Sequence, residues 1–202
     1  VVYTEAGFAP FEFIYNNKVV GVDIAICEEI AKEIGVELVV EDVAFNTILG
    51  AIESGKAAIG AAGITITDER KDQVDFSIPY TTSKQYIIVK ADSTIKSYAD
   101  LAGKKIGVQQ DTTGDIYATG DFGGDNVTTY SNGNEAVLAL LGGSVDCVII
   151  DNEPAKALVA ANAGLKILDT AYANEDYAIC VKKGNADLLG KIDAAIMELT
   201  ED

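Results

Sequence analysis

The 202-residue sequence predicts an α/β fold with largely parallel sheets. Short apolar runs alternate with helix-period patterns almost from end to end. Glycines such as Gly35 and Gly55 close the helical stretches, and polar or aromatic stretches follow the apolar runs.

VVYT at the start reads as a strand. From Asp23 to Ile34, apolar residues fall at Ile26, Cys27, Ile30, Ala31 and Ile34, one face of a helix that Gly35 stops. VELVVED reads as a strand, and Asn46 as the cap of a short helix running through Ser54 and ended by Gly55. AAIGAAG is a small-residue strand, after which Thr67 caps the turn that holds Arg70. DFSIPY leads into the strand YIIVK; KKIGVQ is the next strand, and TTGDIYAT opens a helix. NVTTY precedes a helix from Asn134 to Leu141, and VDCVII precedes one around Glu153 to Ala161. YAICVKK is the last strand, followed by a helix from Asp187. Periodicity leaves open whether these strands form one sheet or two.

A net charge of −17 argues against a nucleic-acid partner, because a phosphate backbone needs a basic surface. No run approaches the 18 or so apolar residues that span a bilayer. The opening run VVYTEAGF suits a processed export product and a cytoplasmic chain equally. The absence of histidine excludes Ser-His-Asp and Cys-His nucleophilic pairs and the common zinc sites, so no catalytic residue and no metal ligand is assigned. Cys27, Cys147 and Cys180 lie far apart in apolar segments and read as buried free thiols.

In α/β proteins ligands bind beyond the carboxyl ends of strands. EAGFAPF, GITITDER, QQDTTG and DNEP all stand at such places, and none contains a phosphate-type glycine loop, so no nucleotide cofactor is expected. GITITDER ends on Arg70, the single arginine among 15 basic residues. A guanidinium grips a carboxylate through two parallel hydrogen bonds, which lysine cannot do. A surface ion pair with Asp68, Asp72 or Asp75 is the alternative.

FAPFEF, GVDIAICEEIAKEIG, ITITDERKDQVDFSIPY, GKKIGVQQDTTGD and VDCVIIDNEPA, taken in order, resemble the amino-acid-binding family of bacterial solute-binding proteins, the receptors that feed ABC importers. The resemblance covers nearly the whole chain. It implies a two-lobed periplasmic-binding-protein fold, each lobe a mainly parallel sheet flanked by helices, joined by two crossover strands, with the ligand enclosed between lobes. Lobe 1 would hold residues 1–84 and 175–202, lobe 2 residues 85–174, with crossovers near Thr82 to Gln85 and Asn174 to Tyr177.

By the same resemblance, Arg70 takes the α-carboxylate of an amino acid. Gly63 and Thr65 offer a hydroxyl, a backbone N–H and a carbonyl. Thr112 and Thr113 begin the helix after VQQD, where Thr113 offers a backbone N–H. Asp151 accepts the α-ammonium, and Phe8 and Phe45 sandwich the side chain, plain core packing being the alternative for both. A buried zwitterion needs one fixed cation and one fixed anion, which Arg70 and Asp151 supply. Glu5 and Gln109 would sit at the side-chain end, while Asp111 adds negative charge or caps the following helix. Arg70 against Asp151 and Glu5 leaves one surplus negative charge, so arginine or lysine is the first expectation and glutamine or another polar amino acid the second.

The implied partners are a free L-amino acid and the membrane permease of an ABC transporter. The implied state is an extracytoplasmic monomer, periplasmic or lipid-anchored on the outer face of the cell membrane. Two other classes use this architecture: an enzyme resembling the cyclic-acid dehydratases, which needs a poised acid or base that only Glu5 and Asp111 could supply, and the sensory domain of a membrane receptor.

Overall fold

The computed structural model describes residues 1–168 and 173–200. The chain divides into two compact units, Val1–Thr82 with Glu175–Asp202, and Ser83–Asn174. Positions 169–172 and 201–202, which fall in the expected ranges 85–174 and 175–202, lie outside the described residues.

The first unit opens with β1 (Val2–Thr4), β2 (Gly7–Phe8), β3 (Glu12–Tyr15) and β4 (Lys18–Val20), followed by α1 (Val22–Ile34) and β5 (Val40–Asp42). It continues through α2 (Ile48–Ser54), β6 (Ile59–Gly60), α3 (Asp68–Gln73) and β7 (Val74–Phe76). The long strand β8 (Thr81–Lys90) carries the chain into the second unit. There follow β9 (Ile106–Gln109), α4 (Thr113–Phe122), β10 (Val127–Tyr130), α5 (Gly133–Gly142), β11 (Cys147–Asp151), α6 (Asn152–Ala161) and β12 (Leu165–Leu168). β13 (Asn174–Tyr177) returns the chain to the first unit, which ends with β14 (Cys180–Lys182) and α7 (Ala186–Thr200).

The main sheet of the first unit has the order β5-β1-β6-β14-β7. Successive side chains on a strand point to opposite faces, so Val2 and Tyr3 serve two different cores. Val2, Ile59, Ile179 and Val181 pack beneath Ile26, Cys27 and Ile30 of α1 and Ile192, Ala195 and Ile196 of α7. Tyr3, Ile64, Val74 and Cys180 pack against Ile48, Ala51 and Ile52 of α2. The apolar face expected for α1 is therefore the face that is buried. A small antiparallel sheet, β2-β3-β4, turns at Asn16 and Asn17, both in the left-handed region at φ 49° and 60°, as a two-residue hairpin turn requires.

The sheet of the second unit runs β10-β9-β11-β8-β12, with β13 beside β8. Ile87, Val89, Ile106, Val108, Cys147 and Ile149 form its core with Ala118 of α4.

Both sheets are mixed. β5, β1 and β6 are parallel, as are β10, β9 and β11, whereas β14 and β8 run against their neighbours. β8 and β14 lie next to the two passages between units and are not steps of a strand–helix–strand crossover, so nothing binds them to the parallel direction.

Three local readings change. VELVVED is strand only from Val40 to Asp42, and AAIGAAG only at Ile59–Gly60. Asn46 does not cap α2: it lies inside a 3-10 turn, Phe45–Thr47, where the Thr47 hydroxyl donates to the Ala44 carbonyl at 2.7 Å and tightens the chain ahead of the helix. The three cysteines are free and buried, and burial pushes the thiols of Cys147 and Cys180 up to about 12. Among the described residues, no helix is long and apolar enough to cross a membrane.

Candidate functional site

In the first unit β5, β1 and β6 are adjacent and parallel, so the segments that follow them emerge side by side at one sheet edge. These segments carry Phe45, Glu5 with Phe8, and Gly63 to Arg70 respectively.

Thr65 bridges to Tyr177 across an antiparallel contact, flanked by hydrogen bonds from Ile66 N to Asp176 O and from Ala178 N to Ile64 O. That pattern makes Thr65 and Tyr177 a non-hydrogen-bonded pair, so the N–H and C=O of Thr65 both point away from the Tyr177 strand. The carbonyl receives Nη1 of Arg70 at 2.9 Å. The Thr65 N–H consequently lies on the same edge as the guanidinium.

Arg70 itself is set by helix α3. Thr67 caps that helix, its hydroxyl accepting from Arg70 N at 3.1 Å, as its position in TITDER predicts. The guanidinium is 5.6 Å from the centroid of the Phe45 ring, in cation–π range. Arg70 is only 5% exposed, although α3 carries Asp68 in its first turn. Asp68 instead pairs with Lys71 at the surface. One face of Phe45 is thus taken by Arg70. Phe8 is buried, with its ring 6.2 Å from Phe11 and its edge over Gly63. Gly63 adopts φ +53°, and a Cβ there would come within 2.9 Å of Phe8 and 3.2 Å of Tyr177. Glu5 is buried in the turn after β1, against Gly7.

In the second unit β9 and β11 are parallel neighbours and end at Gln109 and Asp151. Gln109 is buried, with its amide 3.4 Å from the Ser131 carbonyl. Thr112 caps α4, accepting from Asp115 N and donating to the Gln109 carbonyl at 2.8 Å. Asp111 does not cap this helix. It occupies the left-handed turn before it at φ 60°, and its N–H donates to the Asp115 carboxylate. Thr113 is the first residue of α4, buried, with its hydroxyl 3.4 Å from the amide of Gln85. Asp151 is 4% exposed at the start of α6 and does not cap that helix with its side chain. Its Oδ1 receives the Ser83 hydroxyl at 3.0 Å.

Sequence reasoning missed the residues behind these. Ser83 and Gln85 are polar inward-facing positions of β8, and both are buried. Asp23 of α1 is fully buried, and its Oδ2 accepts the backbone N–H of Gly63 at 2.8 Å. Glu12 of β3, also fully buried, and the hydroxyl of Tyr80 lie near the same carboxyl. Burial raises Asp23 to about 6, against the lowering effect of the Gly63 amide and of the neighbouring Tyr80 and Glu12. Burial, and then the adjoining Asp23 and Glu12, hold the Tyr80 phenol well above its ordinary range. A visible signal existed for Asp23: with Ile26, Cys27 and Ile30 it completes one helix face, a carboxyl on an apolar stripe.

Residues 1–202 match the family described as bacterial extracellular solute-binding proteins, family 3. The chain is 31% identical over 206 residues to the L-cystine-binding protein TcyJ of Escherichia coli (strain K12), covering 100% of this chain and 77% of that one. It is similar to the solved arginine-bound form of truncated ArgBP from T. maritima, at 38% identity and a TM-score of 0.94, covering 98% of this chain and 94% of that one. It is also similar to a solved ancestral arginine-binding protein bound to glutamine, at 43% identity and a TM-score of 0.94, covering 100% of this chain and 91% of that one.

Proposed function

The chain belongs to the bacterial extracellular solute-binding proteins, family 3, and we propose that it captures a free amino acid outside the cytoplasm and delivers it to the permease of an ABC importer. Arg70 of the first unit takes the α-carboxylate, with the Thr65 N–H beside it, and Asp151 of the second takes the α-ammonium. The two units, Val1–Thr82 with Glu175–Asp202 and Ser83–Asn174, act as the lobes. One observation carries this reading: the only guanidinium in the chain is buried and held by the Thr65 carbonyl and the Phe45 ring. A surface ion pair gives no reason for that burial.

The preferred ligand is arginine or lysine, with glutamine next. Glu5 and Asp151 are both buried, and two acids counted against the single Arg70 suit a cationic side chain. Phe8, Gly63, Gln109, Thr112 and Thr113 shape or position the remainder of the site. The arginine- and glutamine-bound relatives support the same two choices. The family is one of binding proteins, and no residue is assigned a catalytic role. The protein works as a monomer, either free in the periplasm or anchored to the outer face of the membrane.

Calorimetric competition among arginine, lysine, glutamine and glutamate tests the ligand. Arginine or lysine should bind most tightly and glutamate should be rejected. Tight glutamate binding would overturn the charge argument, and failure to bind any amino acid would overturn the reading itself.

A further inference from the structure

Two carboxyl groups, Glu12 and Asp23, meet in the interior of the first unit, each with no exposed surface. They come from elements far apart in architecture, the β2-β3-β4 hairpin sheet and helix α1. Two carboxyls in contact without solvent do not both ionise near neutral pH, because each anion raises the cost of the other. One proton held between them would let Glu12 donate and Asp23 accept. Asp23 also accepts from Gly63 N at 2.8 Å, and the Tyr80 hydroxyl lies close by. Among the described residues, the cluster also adjoins two titratable groups, Cys27, in the next turn of α1, and Tyr177, whose ring lies 6.4 Å from that of Tyr80.

Gly63 is the residue this cluster grips, and it stands two residues before Thr65, whose carbonyl holds Arg70. Its backbone is left-handed and roofed by Phe8 and Tyr177, so a hydrogen bond to its amide determines how the chain leaves β6.

We propose that Asp23 is a positioning residue for the amino-acid site: a proton shared with Glu12 keeps its carboxylate aimed at the Gly63 amide, and this fixes the Gly63–Thr65 edge against which Arg70 is set. The inference rests on the binding function proposed above and adds to it a pair of residues remote from the ligand. The charged acceptor makes the Gly63 hydrogen bond short and strong, and neutral acceptors do so less well. Glu12 contributes by remaining protonated.

The test uses the full chain, labelled with nitrogen-15, in native, Asp23→Asn and Glu12→Gln forms. The Gly63 amide is followed by NMR from pH 5 to 9, and L-arginine is titrated calorimetrically over the same range. In the native protein the Gly63 amide proton should lie far downfield and move with a midpoint near 6, and arginine affinity should fall as the pH drops from 7 to 5. Asp23→Asn should abolish the pH-dependent shift and weaken arginine binding at least tenfold at pH 7. Glu12→Gln places a permanent donor opposite Asp23, so the downfield amide should persist. A Gly63 amide indifferent to both pH and Asp23→Asn would overturn the proposal, as would Asp23→Asn binding arginine within twofold of native. If the native chain took up no amino acid, the binding function alone would fail, and the Gly63 amide would still decide the carboxyl pair.

Discussion

Nη1 of Arg70 donates to the backbone carbonyl of Thr65 at 2.9 Å. This bond ties the guanidinium to the Thr65 backbone and sets its plane on the edge that carries the Thr65 amide. A lysine at the same position keeps the charge but has no planar fork and no second parallel donor. Arg70→Lys should therefore weaken amino-acid binding by about 2 kcal/mol or more, roughly 30-fold, the order expected when a buried charged hydrogen-bonded pair is broken. Calorimetry of the variant checks this; near-native affinity would restore the ion-pair reading of Arg70.

Gly63→Ala should damage both folding and binding. The left-handed backbone costs an L-residue about 1–2 kcal/mol, and the added methyl would stand 2.9 Å from a Phe8 ring carbon. Urea unfolding should show a loss of at least about 1 kcal/mol, accompanied by weaker ligand binding. Full native stability would mean that Phe8 and Tyr177 yield at no cost.

The sequence made these residues visible to different degrees. Arg70 stood out because it is unique among the basic residues, and Thr67 because a β-branched hydroxyl before an acidic turn is a cap signal. The α1 face was legible from its 3.6-residue period. Strand direction was not, since β8 and β14 carry the same apolar alternation whether they run parallel or antiparallel. The hairpin of β2, β3 and β4 was missed because its strands are too short to show a period, although Asn16-Asn17 is a turn signal. Without the hairpin, Glu12 had no partner and Asp23 looked like an ordinary acidic residue in a first helical turn. The polar residues of β8 were hidden for another reason. Ser83 and Gln85 acquire their meaning only from Asp151 and Thr113, which lie 68 and 28 residues further along.

The Glu12–Asp23 pair also predicts a pH dependence of stability. Asp23 is held at about 6 in the folded chain, above its ordinary 3.8. A raised carboxyl stabilises the fold while it is protonated in both states, and that contribution is lost as the pH rises from about 4 through 6. A shift of about two pH units corresponds to about 3 kcal/mol. Urea unfolding of the native chain and of Asp23→Asn between pH 4 and 7.5 isolates this group from the many other acids. The native protein should lose stability relative to the variant as the pH rises. Parallel curves would place Asp23 outside the titrating set.

Ser83 offers the most local test of how Asp151 is held. Its hydroxyl lies 3.0 Å from Asp151 Oδ1 and 3.0 Å from Asn152 Oδ1, but it has one proton. The Asn152 amide nitrogen donates to Glu153 at 3.1 Å, which leaves the Asn152 oxygen facing Ser83 as a competing neutral acceptor. The carboxylate is the stronger acceptor, so the proton goes to Asp151. Removing the hydroxyl takes a donor from an almost wholly buried carboxylate, the one that the proposed function assigns to an ammonium. Hydrogen bonds to charged groups are worth about 1.5–3 kcal/mol. Ser83→Ala should accordingly weaken amino-acid binding by about tenfold or more, while Ser83→Thr, which keeps the hydroxyl, should recover most of the loss. Calorimetry on the two variants reads this directly. Equal losses in both would assign the effect to the packing of β8, and no loss in either would show that Asp151 is oriented without Ser83.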